Sequence, residues 1–179
     1  MKLMTVSKSE MCNLFAEVFT YPSSDYKQKV KLMTTNTCAE NSDVKFAKVF
    51  NNQASDLSLS DIEELFTKTF DMNPDSCLDL GWHLFGEGYD RGDFLAKTRK
   101  QLRKNNVIEK IELPDHLSHI LKLLSTQEND QANKLVSKTI YPALLKIKPA
   151  VDEENLFSNA LLALEQFLTE NYQTIESEL

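Results

Sequence analysis

The chain has 179 residues, a length that fits one domain with a substantial hydrophobic core. Its net charge of −7 and pI near 5.0 exclude the broadly basic surface of a typical nucleic-acid-binding protein. Hydrophobic residues make up 41% and charged residues 26%, with only 4 glycines, so we expect a mainly helical globular protein.

The first predicted helix begins at a capping box formed by Ser7 and Glu10 and ends at Tyr21-Pro22. Its apolar positions recur at helical spacing: Met11, Leu14, Phe15, Val18 and Phe19. The pattern over 23–56 is weaker and predicts short helices at about 24–34 and 42–52.

A second capping box is predicted at Ser60 and Glu63, and the helix that follows ends at Asn73-Pro74. Its stripe is Ile62, Leu65, Phe66, Thr69 and Phe70. Residues 76–85 predict a short, largely buried helix. By default we expect the aromatic side chains of Phe70, Trp82 and Phe85 in the core, although Trp82 is also a candidate for the floor of a groove.

All four glycines fall within 81–92, which indicates turns or close packing there. The next helix is predicted from Asp90 to Lys104, because acids open the segment and bases close it, as the helix dipole favours. Its basic run, KTRKQLRK, is expected to be a solvated face; the functional alternative is a dock for an acidic partner.

Pro114 is predicted to open another helix, with Leu117, Ile120, Leu121 and Leu124 on one face. Residues 129–148 look helical with a break at Tyr141-Pro142. Asp152 is predicted to cap the last helix, whose apolar stripe is wide: Leu156, Phe157, Ala160, Leu161, Leu164, Phe167 and Leu168. No alternating strand pattern competes, so we predict a single all-α bundle over 1–179.

The cysteines, Cys12, Cys38 and Cys77, are odd in number and form no CxxC pair, so neither a disulfide framework nor a zinc ribbon is predicted. Their use is typical of a reducing compartment. The N-terminus lacks the apolar run of a secretory signal, and no stretch approaches the roughly 18 apolar residues of a spanning helix. We therefore expect a cytoplasmic protein without direct membrane insertion.

A metal site is one hypothesis for the histidines. His83, His116 and His119 offer nitrogen ligands, with Asp115 or Glu112 as oxygen donors. The HExxH motif spaces its histidines four apart on one helix face, whereas His116 and His119 are three apart. On a helix opened by Pro114, His119 is expected near the solvent side, so His116 and His119 are not expected to point at the same metal ion. A metal-dependent hydrolase using the three histidines remains an alternative.

Proton transfer is a second hypothesis, because Asp115 and His119 are spaced to meet on the exposed face of that helix. The sequence contains no GxSxG nucleophile elbow and no GxxxxGK phosphate loop to accompany such a pair. A purely structural explanation also stands, in which Asp115 satisfies free amides of the first turn and His116 is a hydrogen-bonded packing residue.

Motifs over about 60–126 resemble the cytoplasmic chaperones of respiratory molybdoenzymes, the TorD/DmsD/NarJ family, and most closely its nitrate reductase assembly (NarJ-like) branch. The first is Glu64-Leu65-Phe66 followed by Thr69-Phe70-Asp71 and Pro74. The others are His83-Leu84-Phe85-Gly86-Glu87, Arg91-Gly92 and, most specific of all, Glu112-Leu113-Pro114-Asp115-His116-Leu117.

The resemblance implies an all-helical, non-enzymatic chaperone without a cofactor of its own, present as a monomer or weak homodimer. Its partner would be the apo catalytic subunit of a molybdenum-dependent oxidoreductase, held by an N-terminal segment while the molybdenum cofactor and an iron–sulfur cluster are inserted. Export proofreading of a twin-arginine signal on a dimethyl sulfoxide reductase-type enzyme is the alternative. The peptide-binding residues that it implies are Trp82, His83, Phe85, Glu112, Pro114, Asp115 and His116.

An arginine-bearing amphipathic peptide needs an apolar trough with carboxylates at its rim, and Glu87, Asp90, Glu112 and Asp115 are the candidates. A disordered segment pays an ordering cost on binding, which favours micromolar affinity. Because histidines titrate near neutral pH, His83 and His116 also predict binding that depends on pH between about 5 and 8.

Overall fold

The structure is a computed structural model that describes residues 6–37 and 45–173. The described residues form an all-α bundle and contain no β-strand, only one isolated bridge. The helices are α1 Lys8–Val18, α2 Tyr26–Thr37, α3 Lys45–Asp56, α4 Leu59–Phe66, α5 Leu80–Phe85, α6 Tyr89–Lys104, α7 Leu117–Leu124, α8 Asn129–Leu135, α9 Tyr141–Ile147 and α10 Leu156–Asn171.

One hydrophobic core runs through the described bundle. Helix α1 packs against α2 and α7, α10 packs against α3, and α5 packs against α6 and α9. The stripes predicted for α1 and α10 are almost entirely buried, which confirms their helical spacing; only Leu14 is partly exposed. No helix in the described ranges is both long and apolar enough to cross a membrane.

The N-terminal boundaries test two predicted caps. Ser7 and Glu10 form the predicted capping box, so that prediction is confirmed. The second box was predicted two residues too late: Ser58 and Asp61 form it, and α4 begins at Leu59. The segment offers two serines, and Asp61 reaches back to the Ser58 amide as a glutamate would. Cys38 and residues 42–44 of the third predicted helix lie outside the described residues.

Two π-helical turns, Thr67–Asp71 and Val136–Ile140, continue α4 and α8. The break predicted at Tyr141-Pro142 is therefore wrong, because the chain passes from the second π turn directly into α9 and Pro142 lies in its first turn. The cap predicted at Asp152 is also wrong, since the Asn155 side chain accepts the Phe157 amide and α10 begins after it.

Two helices begin later than predicted. Residues 76–79 are not helical and α5 begins only at Leu80, while Pro114 does not open a helix because α7 begins at Leu117 with His116 as its N-cap. Both corrections have one cause: the backbone at 78–80 pairs with that at 115–117. By contrast, the Asp90–Lys104 prediction is confirmed within one residue.

Candidate functional site

The starts of α5 and α7 are joined by two backbone hydrogen bonds, which we call the α5–α7 junction (residues 78–80 and 115–117). The Leu80 amide donates to the Asp115 carbonyl at 3.0 Å, and the Leu117 amide donates to the Leu78 carbonyl at 2.8 Å. The junction brings the motif around His83 and the motif around Pro114 side by side, although 34 residues lie between Leu80 and Asp115 in the sequence.

Asp115 is the buried centre of this junction. Its side chain is 0% exposed, and its Oδ2 atom accepts the Gly81 amide at 3.0 Å. The Arg91 Nε atom lies 3.6 Å from the same oxygen, while Arg91 Nη2 donates to Asp79 at 3.0 Å. Burial, together with the nearby charge of Asp79, raises the pKa of Asp115. The prediction that Asp115 stands at the rim of a trough is therefore wrong.

Gly81 is required where α5 meets this carboxylate. A Cβ atom built on Gly81 would lie 2.5 Å from Asp115 Oδ2 and 2.9 Å from the Phe94 ring. Gly92, inside α6, has nothing within 4 Å of such an atom. Both glycines lie in helices, but a side chain at position 81 would clash with its neighbours whereas one at position 92 would not.

We expect Gly81→Ala to lower the free energy of unfolding by about 1–3 kcal/mol, because overpacking displaces Asp115 and Phe94. Gly92→Ala is the matched control and should raise it by about 1 kcal/mol through helix propensity alone. Urea denaturation of the two variants measures both signs, and a stabilised Gly81→Ala variant would contradict the packing described.

His116 is a buried, neutral N-cap rather than a ligand. Its Nδ1 atom accepts the Ser118 amide at 3.3 Å and lies 2.8 Å from the Ser118 hydroxyl. Burial, reinforced by the neighbouring His119, lowers the pKa of His116 to about 3. The His116 ring therefore stays neutral between pH 5 and 8, which removes it as a source of the predicted pH-dependent binding.

The cap predicts how stability depends on pH. The pKa of a histidine in the unfolded chain is 6.5, so between pH 6.5 and about 3 the unfolded state binds a proton that folded His116 refuses. The stabilisation is complete above pH 6.5 and is lost as the pH falls, at up to about 1.4 kcal/mol per pH unit. Between pH 7 and 5 we expect wild type to lose about 2 kcal/mol more than His116→Asn, whose amide oxygen can cap without titrating. Urea denaturation at pH 7, 6 and 5 measures this, and parallel losses would contradict it.

His119 fastens the loop that precedes the junction. Its Nδ1–H donates to the Leu113 carbonyl at 2.9 Å, and its Nε2 accepts the Lys110 amide at 3.1 Å. The same loop is tied to α6 by Arg99, whose Nε lies 2.9 and 3.1 Å from the Glu109 carboxylate oxygens. The loop covers His119, which is 2% exposed, so the predicted exposed Asp115–His119 pair is wrong.

His83 is also turned inward. Its Nε2–H donates to the Cys77 carbonyl at 2.7 Å, and burial lowers its pKa. Lys146 donates to the His83 carbonyl at 2.6 Å and so stabilises the end of α5. Among the described residues, no group of three or more His, Cys, Asp or Glu is arranged to hold a metal ion. The positions of the histidines do not favour the metal-dependent hydrolase.

The predicted peptide-binding residues fall into two groups. Pro114, Asp115 and His116 are buried together with His83, whereas Phe85, Glu112 and, in part, Trp82 reach the surface. Phe85 is 46% exposed, so the expectation that it is a core residue is wrong, while Phe70 is buried as expected.

The partly exposed aromatic side chains, Phe85 and Trp82, each pack against a residue of α6. Phe85 packs on Phe94 of α6 with ring centroids 5.2 Å apart. The Arg91 guanidinium lies over the Trp82 ring, 5.7 Å from its centroid. Each side chain therefore keeps a fixed position while part of it remains open to a partner.

Three carboxylates from separate segments form what we call the acidic patch: Asp71, Asp79 and Glu112. Burial, together with the charges of Asp71 and Asp79, raises the pKa of Glu112. Burial also raises the pKa of Asp71. The Glu112 shift indicates a carboxylate that is partly shielded from water and repelled by Asp71 and Asp79, a setting that favours an approaching cation.

Exposed apolar side chains adjoin the acidic patch in the chain. Met72 follows Asp71 and is 74% exposed, and Ile111 and Leu113 flank Glu112 at 99% and 44%. Exposed apolar side chains next to carboxylates are typical of an interaction surface. Asp71 belongs to one of the motifs but was not predicted as a site residue. Met72 and Ile111 were also not predicted, and only their place beside the motif residues Asp71 and Glu112 in the sequence pointed to them.

Neither the family models nor the curated proteins compared with this sequence gave a match.

Proposed function

We propose that the chain is a chaperone for an apo respiratory molybdoenzyme. It binds the N-terminal segment of the catalytic subunit, of the nitrate reductase or nitrite oxidoreductase type, and holds it while the molybdenum cofactor and an iron–sulfur cluster are inserted. The motif resemblance supports the choice of client. The observation that carries the binding role is the acidic patch, with exposed Met72, Ile111 and Leu113 beside its members.

The chemistry of this surface matches a basic, amphipathic segment. Arginine or lysine side chains of the client would relieve the repulsion among the carboxylates of the acidic patch. Its apolar side chains would pack on Phe85, Ile111 and Leu113, which together leave substantial apolar area in water. A segment that orders on binding loses part of this gain, so the complex releases its client readily.

The buried motif residues have a supporting role in this proposal. Asp115 fixes Gly81 and lies beside Arg91, and Arg91 in turn holds Asp79 of the acidic patch. His116 caps α7 and so keeps the adjoining loop with Glu112 and Leu113 in place. In this proposal Trp82, Phe85 and Glu112 contact the peptide. The buried residues hold those three side chains in position: Pro114, Asp115, His116 and His83.

Calorimetry with synthetic N-terminal peptides of molybdoenzyme catalytic subunits from the same genome tests the proposal. We expect micromolar binding of one peptide by wild type, and a loss of about tenfold or more in Asp71→Lys/Glu112→Lys, because two attractions become repulsions. A twin-arginine peptide that alone binds would favour the proofreading alternative over the nitrate reductase-type client.

The matched control is Asp56→Lys/Glu170→Lys, which changes the net charge equally through two exposed acids on α3 and α10. This variant should lose much less affinity than the patch variant. Equal losses would show that only net charge matters, and no heat with any of the peptides would contradict the client-binding role itself.

A further inference from the structure

A groove lies between α6 and α8. A cavity of about 240 Å³ is lined by residues of both helices and of the end of α7. A neighbouring cavity of about 350 Å³ shares three glutamines with it, Gln101, Gln127 and Gln131. We call the two together the α6–α8 groove. It has an apolar floor, since Leu123 and Leu135 line the first cavity.

The groove is edged by lysines that have no acidic partner among the described residues. Lys134 and Lys138 line the first cavity, and Lys104 lines the second. Within the described ranges, none of the three forms an ion pair, whereas Lys97 pairs with Asp93 and Lys122 with Glu17. Of the described residues that line the two cavities, three are lysines and one, Glu128, is an acid, so positive charge predominates there.

The spacing of these lysines matches a helical ligand. Lys134 and Lys138 are four residues apart on a continuous helical path, so their side chains lie one turn apart on one face. Carboxylates spaced four apart on a partner helix have the same separation. Apolar side chains on that helix would meet Leu123 and Leu135, and the side-chain amides of Gln101 and Gln131 offer further hydrogen bonds.

We propose that the α6–α8 groove binds an acidic amphipathic segment of a partner protein. Charge complementarity is local, because the chain as a whole carries a net charge of −7 and repels acidic proteins elsewhere. Arg91 and Lys104 are thirteen residues apart in α6, or about 20 Å along its axis, which separates this groove from the acidic patch. The two surfaces can therefore be occupied independently.

The probe is a fluorescein-labelled peptide of about 15 residues, with glutamates four apart on one helical face and leucines on the other. Fluorescence anisotropy should show saturable binding to the full chain, weakened at least tenfold in Lys134→Glu/Lys138→Glu. Amide shifts in ¹⁵N spectra should cluster at Gln101, Gln131 and Leu135.

The matched control is Lys31→Glu/Lys48→Glu, which makes the same charge change on α2 and α3 through exposed lysines. Wild-type-like binding by this variant supports the proposal, and an equal loss overturns it. Equal binding of a peptide with glutamine for glutamate overturns it as well. A single-stranded RNA oligonucleotide that binds the groove more tightly than the peptide would replace the proposal with phosphate recognition. Failure of client binding at the acidic patch does not affect these outcomes, because no residue is shared.

Discussion

Replacing Asp115 by alanine is expected to lower the free energy of unfolding by about 3–4 kcal/mol. The substitution leaves the buried Gly81 amide without its acceptor and removes the carboxylate that faces Arg91. It also opens a small void at the α5–α7 junction, where the wild-type side chain is wholly buried. Urea denaturation at pH 7, monitored by circular dichroism, measures the loss.

Asp115→Asn separates the hydrogen bond from the charge. Its amide oxygen can still accept the Gly81 amide, and it removes a carboxylate whose raised pKa shows that ionisation is disfavoured. We expect this variant to stay within about 1 kcal/mol of wild type at pH 7. Glu87→Ala removes an exposed acid and should change stability by less than about 0.5 kcal/mol. A stable Asp115→Ala variant would contradict the anchoring role.

The all-α fold was predictable because helical spacing and capping are local properties. The stripes of α1 and α10 depend only on residues within each helix, and both are confirmed. The start of α7 depends instead on a partner distant in the sequence. Pairing of 78–80 with 115–117 holds Asp115 and His116 outside the helix, and no periodicity within 112–124 encodes that contact.

The same limit applies to the candidate site. The position of His119 on a helical wheel suggested exposure, but a loop fastened by its own hydrogen bonds covers it. Glu112 was predicted as a site residue from its motif. Its interaction with the charges of Asp71 and Asp79 could not be predicted, because the three residues lie in separate segments of the chain. Residue chemistry was therefore readable from the sequence, but which side chains are sealed and which face solvent depended on tertiary packing.

Helix α6 relates the two proposed surfaces. Near its start, Arg91 holds Asp79 of the acidic patch, and near its end Lys104 edges the α6–α8 groove. The charge order along α6 agrees with the helix dipole, which accounts for acids first and bases last. The dipole does not account for Lys134 and Lys138 on another helix facing the same groove. Because lysines from two helices face one groove, the helix dipole of α6 alone does not explain their positions, and this favours an interaction surface.

Phe157→Ala is expected to lower the free energy of unfolding by about 3–5 kcal/mol. The ring is 0% exposed and lies 5.1 Å from Phe70, 5.4 Å from Phe66 and 6.3 Å from Phe50, measured between centroids. Its removal leaves a cavity where α10 meets α3 and α4, and the surrounding rings cannot collapse into it without losing their own contacts. Urea denaturation measures the loss.

Phe85→Ala is the matched control, because the same atoms are removed from a ring that is 46% exposed and packs mainly on Phe94. We expect a loss of about 1 kcal/mol or less in stability. The two variants should also differ in their affinity for the client peptide, measured by calorimetry. Phe85→Ala is expected to weaken binding although it folds normally. Phe157→Ala, measured at a temperature where it remains folded, should bind as wild type does. A Phe85 variant with large stability loss and unchanged binding would place that ring in the core and remove it from the proposed surface.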